Sequence, residues 1–500
     1  MKKERKELER GAGLLMPISA LNSPYGIGTM GKAAYEFADL AKETGAKYWQ
    51  VLPVGPTSYG DSPYQSFSAF AGNPYFIDPD MLVEEGLLKK EDMEGICWGG
   101  NSSDVDYEAV YRNRFIVLRV AYENSDHKTK ASYKKFVSEN TYWLPDYAFY
   151  MAVKTENGGR SWQEWDDDIR KRKPDRVKEL EKKLADDIDF WMFLQYKFEE
   201  QWNRLKKYVN GLGIEIIGDI PLYVALDSTD VWVHPDLFEL DEDLREINIA
   251  GVPPDMFSVT GQRWGNPLYR WKVMEKDGFS WWAERMRSCG KRYDVVRIDH
   301  FIGIVNYWSI PATCPTAVEG KWIKGPGKKL TDMINEVIPD TKLIAEDLGV
   351  LTKPVKDLIN KNNYPGMKIL EFALDGNPDN PYLPHNFTTD NLIVYIGTHD
   401  NETLAGSLLS CKVAELKKLM NYYNAATEEE LPKMMIRAAY ASVARVAILQ
   451  VQDLLGLDNK ARTNFPSTIG ENWRWRVTTE QLKSIDTKYY KNMAETYGRA

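Results

Sequence analysis

Three short apolar runs in this chain end on an acid. Val295-Val296-Arg297-Ile298 ends on Asp299, Leu343-Ile344-Ala345 ends on Glu346, and the run 392–396 reaches Asp400 through Gly397-Thr398-His399. Runs of this length and character read as strands buried on both faces, which is how the strands of a parallel sheet look. In a closed parallel barrel the strand C-termini open on one face, and the active site is assembled there. An acid just past a strand can also cap a helix or brace a loop, and each of the three admits that reading alone. Three acids in one position point to a shared site.

The rest of the chain repeats the pattern. Strand-length apolar runs at 14–18, 48–54, 214–219, 295–299, 343–346, 368–372 and 392–396 alternate with helical spacing at 31–43, 191–209, 281–289, 355–360, 416–423 and 434–450. An eighth strand is expected near Ala461. This alternation predicts an α/β fold, a (β/α)8 TIM barrel rather than a doubly wound sheet. A chain of 500 residues fits a single catalytic barrel, 1–500, whose loops have grown. The stretch between the second and third strands is far longer than one crossover needs, so 65–190 reads as an inserted, mainly helical subdomain. Its charged tract, 166–187, reads as solvated helix faces. A second insertion, 221–290, carries Pro253-Pro254-Asp255-Met256-Phe257 and Gly261-Gln262-Arg263-Trp264-Gly265-Asn266-Pro267. Such Gly/Pro/aromatic segments predict shaped lid and groove loops over the barrel mouth.

Composition narrows the ligand. A formal charge of −9 argues against nucleic acid or an anionic membrane, which demand clustered positive charge. The 16 Trp and 28 Tyr are partly core, but such amphipathic rings also stack on the apolar faces of sugars. No apolar run is long enough to span a bilayer, and residues 1–10 are too charged for a secretory signal. Cys97, Cys289, Cys314 and Cys411 lack metal-ligand spacing and suggest no disulfide framework, which fits a reducing compartment. A cytoplasmic protein is expected.

The acids define a chemistry. Arg297 and Asp299, two apart on a strand, share a face, and a guanidinium there keeps Asp299 ionised and nucleophilic. Glu346 closes an apolar strand, so desolvation should raise its pKa and suit it to general acid and base work. With Asp400 as a third carboxylate facing an oxocarbenium-like centre, the set fits retaining glycosidic chemistry.

Five segments carry a resemblance: Ser58-Tyr59-Gly60-Asp61-Ser62-Pro63-Tyr64-Gln65, Gly218-Asp219-Ile220-Pro221, Arg297-Ile298-Asp299-His300-Phe301, Ala345-Glu346-Asp347-Leu348-Gly349 and Gly397-Thr398-His399-Asp400-Asn401. From Pro17 to Arg476 the chain closely resembles the 4-α-glucanotransferases, or amylomaltases, glycoside hydrolase family 77 of the α-amylase clan. The resemblance implies a barrel with inserted subdomains and no C-terminal β-domain. It implies Asp299 as nucleophile, Glu346 as acid and base, and Asp400 as transition-state stabiliser. Asp219, Arg297, His300 and His399 match the family's other site positions. Tyr64 matches its stacking platform, Gln262 and Trp264 its lid, and Tyr59 a second glucan site of some members. Ala461-Arg462-Thr463-Asn464 departs from the family's Arg-Met-Asn by carrying Thr463.

Other readings stay open at this stage. Tyr64 reads equally as a rim aromatic, Trp264 as a packed loop residue, His300 and His399 as supporting donors, and Asp219 as a helix cap or a brace for Arg297. A divalent-metal enzyme using Asp219, Asp299, Glu346 and Asp400 is disfavoured by the cation at Arg297, so no metal or cofactor is expected. A non-catalytic glucan-binding barrel would have lost an acid, yet all three remain. A hydrolase and a transferase form the same covalent intermediate, and the aromatic lid favours a sugar acceptor over water. The expected partners are α-1,4-glucans and maltooligosaccharides, with the oligomeric state open between monomer and weak dimer.

Overall fold

The computed structural model describes every residue except 1–5, 59, 256, 257 and 350. Its strands in chain order are β1 (Gly11–Leu15), β2 (Tyr48–Gln50), β3 (Glu215–Ile220), β4 (Asn248–Val252), β5 (Gln262–Pro267), β6 (Val295–Ile298), β7 (Asn306–Pro311), β8 (Lys321–Lys324), β9 (Lys342–Ala345), β10 (Gly366–Ile369), β11 (Leu392–Tyr395) and β12 (Val446–Gln450). Eight of them form one sheet in the order β10-β11-β12-β1-β2-β3-β6-β9, and every neighbouring pair is parallel. The ends of this sheet meet where Ala345 N donates to Pro365 O at 3.0 Å, just before β10. The result is a (β/α)8 barrel.

Alternation along each strand explains where the functional side chains point. Ile217, Val295, Ile344, Ile393, Tyr395 and Ile448 pack together inside the ring of strands. Their neighbours Ile216, Val296, Leu343, Val394 and Ala447 face the larger core under the helices. Successive side chains take opposite faces, so Asp219, Arg297, Asp299 and Glu346 continue the inward series of Ile217, Val295 and Ile344. The ladder persists to the acids themselves, with Asp299 N donating to Ile220 O at 2.9 Å and Glu346 N to Ile298 O at 3.0 Å.

Between β2 and β3 the chain builds helices including Tyr107–Glu123, Leu144–Glu156 and the long Ala185–Gly211 that returns to the barrel. Leu144–Glu156 is buried continuously from Tyr147 to Lys154 because it packs against that long helix. After β12 the chain ends in helices Thr479–Ser484 and Thr487–Thr496, with no β-domain there among the described residues.

Two sequence expectations are corrected. The eighth strand is not near Ala461, which lies in the short helix Asn459–Ala461; it is β12, inside the span read as the helix 434–450. That helix stops at Ala441, and no local Gly or Pro marks the stop. The carbonyls at its end and just beyond are taken instead by distant cations. Buried Arg499 donates to Tyr440 O at 2.7 Å and Ala444 O at 2.9 Å, and Arg10 donates to Ser442 O at 3.0 Å. The second correction concerns the lid. Residues 262–267 are strand β5, part of a four-stranded sheet ordered β5-β4-β7-β8, whose strands β7 and β8 come from the segment after β6.

Candidate active site

At the centre of the barrel mouth Arg297 serves two acids with one nitrogen. Its Nη1 lies 2.7 and 2.6 Å from the two oxygens of Asp219 and 2.9 Å from Asp299 Oδ1. Tyr64 OH donates to Asp219 Oδ2 at 2.8 Å. The side chain of Asp219 is 0% exposed and that of Asp299 29%, so Asp299 is the member that can meet a ligand while Asp219 braces from below. Burial works against the Arg297 charge, but Asp219 and Asp299 outweigh it and hold its pKa well above the usual value.

Glu346 is anchored by backbone. Its Oε2 accepts from His300 N at 2.8 Å and its Oε1 from Leu348 N at 2.7 Å. The first bond depends on a tight turn past β6, where His300 takes φ 50°, a left-handed conformation that a non-glycine residue adopts at a cost of about 1 kcal/mol or more. Phe301 N then donates to Glu346 O at 3.1 Å, tying the ends of β6 and β9 together.

Burial raises the pKa of both Asp299 and Glu346, and Arg297 opposes the rise at each. The nearby carboxylates Asp219, Glu346 and Asp400 push Asp299 up further. The direct guanidinium bond at 2.9 Å favours the anion at Asp299, and Glu346 has no such side-chain cation bonded to it among the described residues.

Asp400 sits beyond β11 with its side chain 49% exposed. Asn464 Nδ2 donates to its Oδ1 at 2.6 Å, Arg462 Nη2 to its backbone O at 2.8 Å, and His399 Nε2 lies 3.4 Å from its Oδ2. His399 stacks on Tyr64 with ring centroids 5.1 Å apart and planes at 16°, and Trp473 packs against both rings. Burial lowers the pKa of both site histidines, that of His300 to about 4. Both are therefore neutral near pH 7 and able to hydrogen-bond an uncharged ligand. His300 Nε2 and His399 Nδ1 are buried without a hydrogen-bond partner among the described residues.

The lid sheet closes one side. Trp264 meets His300 edge to face, centroids 4.8 Å apart at 89°, and its Nε1 donates to Gln262 Oε1 at 3.1 Å. Tyr223 packs near both Trp264 and His300. Gln65 Nε2 donates to Asn266 Oδ1 at 3.0 Å, linking the segment that carries Tyr64 to the lid. Tyr59 lies outside the described residues.

The structure thus brings Tyr64, Asp219, Arg297, Asp299, Glu346, His399 and Asp400 into one cleft with Trp264 and His300 at its side. It adds Arg462 and Asn464, which sequence reasoning named only as a motif, and Trp473 and Tyr223, for which no local signal existed. Thr463, the departure from the family pattern, is buried and accepts from Gln452 Nε2 at 3.0 Å. Behind Asp400, burial with Asp453 and Glu402 pushes Glu371 up to about 9, and burial pushes Asp453 up to about 7. Among the described residues no group of three or more His, Cys, Asp or Glu is arranged to hold a metal ion, and no helix is long and apolar enough to cross a membrane.

A parallel barrel with acids on three strand ends, one arginine between them and an aromatic floor defines an enzyme of the α/β-barrel class acting on sugars. The chain belongs to glycoside hydrolase family 77: the family model described as 4-alpha-glucanotransferase matches residues 16–482. It is 47% identical over 487 residues to the 4-alpha-glucanotransferase of Clostridium butyricum, covering 97% of this chain and 100% of that one. Identity to the Thermus thermophilus 4-alpha-glucanotransferase is 45%, over 99% of this chain and 100% of the other. Among solved structures, an amylomaltase from Streptococcus agalactiae in complex with acarbose superposes with a TM-score of 0.95 at 40% identity, covering 98% of this chain and 100% of that one.

Proposed function

We propose that this 4-α-glucanotransferase moves α-1,4-glucan segments between maltooligosaccharides or starch- and glycogen-like chains by retaining double displacement. The carrying observation is the single Arg297 nitrogen that binds both buried Asp219 and open Asp299. It supports an ionised Asp299 attacking the anomeric carbon while Glu346 gives its proton to the departing 4-oxygen. The first product leaves with that hydroxyl restored, and the rest of the donor stays as an ester on Asp299. An acceptor sugar 4-hydroxyl then attacks the anomeric carbon, Glu346 takes the hydroxyl proton, and the bond from that carbon to Asp299 breaks so that Asp299 leaves as carboxylate. Two inversions give net retention.

In this reading Asp400, held by Asn464, stabilises the cationic transition state, and His399 and His300 bind sugar hydroxyls as neutral imidazoles. Tyr64 is the floor of the sugar at the reaction centre, and Trp264 and Gln262 cover the acceptor. Acarbose, present in the Streptococcus agalactiae complex, is expected to bind the same cleft here. We place the protein in the cytoplasm, as a monomer or weak dimer, with 65–190 and 221–290 as the insertions that shape the groove.

The test is to incubate the pure protein with maltotriose and separate the products. Glucose together with longer maltooligosaccharides, at constant total reducing ends, is the transferase result. Glucose and maltose with rising reducing ends would make it a hydrolase.

A further inference from the structure

The lid sheet has a second face that the cleft does not use. Arg263, Gly251, Trp308 and Trp322 are register partners across β5, β4, β7 and β8, so their side-chain positions lie on one face. Trp264, next in sequence to Arg263, therefore points the other way, toward His300. On the outer face Trp308 is half-buried. Its Nε1 donates to Ala317 O at 2.9 Å, and the covering loop fits because Gly320 has no side chain: a Cβ there would lie 2.2 Å from that nitrogen. Trp322 meets Trp308 edge to face, centroids 5.3 Å apart at 69°, and remains 52% exposed. The half-buried ring thus sets the orientation of the exposed one.

The surroundings say what such a ring would hold. Two residues along the same two strands, and so on the same face, stand Asn306 and Lys324. On the far side Arg263 is exposed, with one guanidinium nitrogen on Ala312 O at 2.8 Å. An aromatic surface flanked by amide, ammonium and guanidinium donors matches a ligand with an apolar ring face and a rim of hydroxyls. Four strands span about 14 Å, so this platform is joined to the cleft by one small sheet, and a polymer leaving the cleft past Trp264 is within reach of it.

We propose that Trp322, oriented by Trp308 and flanked by Asn306, Lys324 and Arg263, is a surface site for an α-1,4-glucan chain, separate from the cleft that carries the acids. The proposal rests on the reading of the cleft as a glucan site and extends it to long chains, which can occupy both places at once. The gain is one of effective concentration.

The experiment compares the full-length wild type with Trp322→Ala and Trp322→Phe in two assays. Migration through gels containing increasing glycogen reports polymer affinity, and disproportionation of maltotriose reports the cleft. Trp322→Ala should weaken glycogen affinity about three- to tenfold and raise the apparent KM for glycogen by a similar factor. Its kcat and KM on maltotriose should stay within about twofold of wild type, which also reports that the variant is folded. Trp322→Phe, keeping a ring, should fall between. Unchanged glycogen migration in both variants would overturn the surface site while leaving the transferase reading intact. A wild type that binds glycogen through Trp322 but leaves maltotriose untouched would instead remove the transferase reading.

Discussion

Asp219 and Asp299 are held by the same nitrogen, Arg297 Nη1, at 2.6 and 2.9 Å. The buried acid therefore competes with the open one for a single cation. It also receives Tyr64 OH at 2.8 Å, so the floor of the cleft and the charge on Asp299 are set by one side chain. Asp219 raises the pKa of Asp299 through space, against Arg297.

Replacing Asp219 by Asn should accordingly lower the Asp299 pKa, because one anion disappears and Arg297 turns wholly to Asp299. The acid limb of the kcat/KM profile should move to lower pH. The rate should fall about 10- to 100-fold as the Tyr64 floor loosens. A limb that stays in place would mean Asp219 does not act on Asp299 electrostatically.

On the proposed mechanism, Asp299→Asn removes the oxygen that would form the ester. Turnover on maltotriose should fall by about four orders of magnitude or more while thermal stability and maltooligosaccharide affinity stay near wild type. Residual turnover within tenfold of wild type would exclude Asp299 as nucleophile. Glu346→Gln should be equally poor on maltooligosaccharides but recover on an α-glucosyl donor with an acidic leaving group, whose departure needs no proton.

Much of this arrangement is readable from the chain because parallel strands buried on both faces have few permitted sequences, and an acid at their end breaks the pattern visibly. Asp299 and Glu346 follow from that alone. The strand β12 does not, because 434–450 is apolar and alanine-rich throughout and its helix is stopped by Arg10 and Arg499, hundreds of residues away or more than fifty ahead in the chain. The lid strand β5 is hidden for a similar reason: its partner β4 pairs with β7, which follows the next barrel strand. Trp473 reaches Tyr64 and His399 only through the closure of the chain's C-terminal part over the barrel mouth, and no local spacing encodes that.

Glu371 offers a test of buried charge. Its carboxyl, raised from 4.5 to about 9 chiefly by burial, keeps its proton in the folded protein through a range where the unfolded chain has lost it. Stability from this group is complete below about pH 4.5 and declines as pH rises toward 9, with a slope of about −1.4 kcal/mol per pH unit at most. Glu371→Gln removes the titration, so its melting temperature should fall less than that of wild type between pH 6 and pH 9. Parallel melting curves for the two proteins would refute the protonated state.

On the proposed reading, Trp264 sets the choice between a sugar and a water acceptor. Its indole stands edge-on to His300 at 4.8 Å and is steered by Gln262, on a strand rather than a free loop, so it is held firmly against the residue that follows Asp299. A stacked acceptor that displaces water gains about 1 to 3 kcal/mol, or about 5- to 150-fold in preference. Trp264→Ala should slow transfer more than hydrolysis, and reducing ends should then accumulate from a maltooligosaccharide pool whose total otherwise stays constant. If Trp264 only packs the lid sheet, both reactions fall together. Glucose release and reducing-end increase followed in one time course separate the two cases, and an unchanged transfer-to-hydrolysis ratio would assign Trp264 to packing alone.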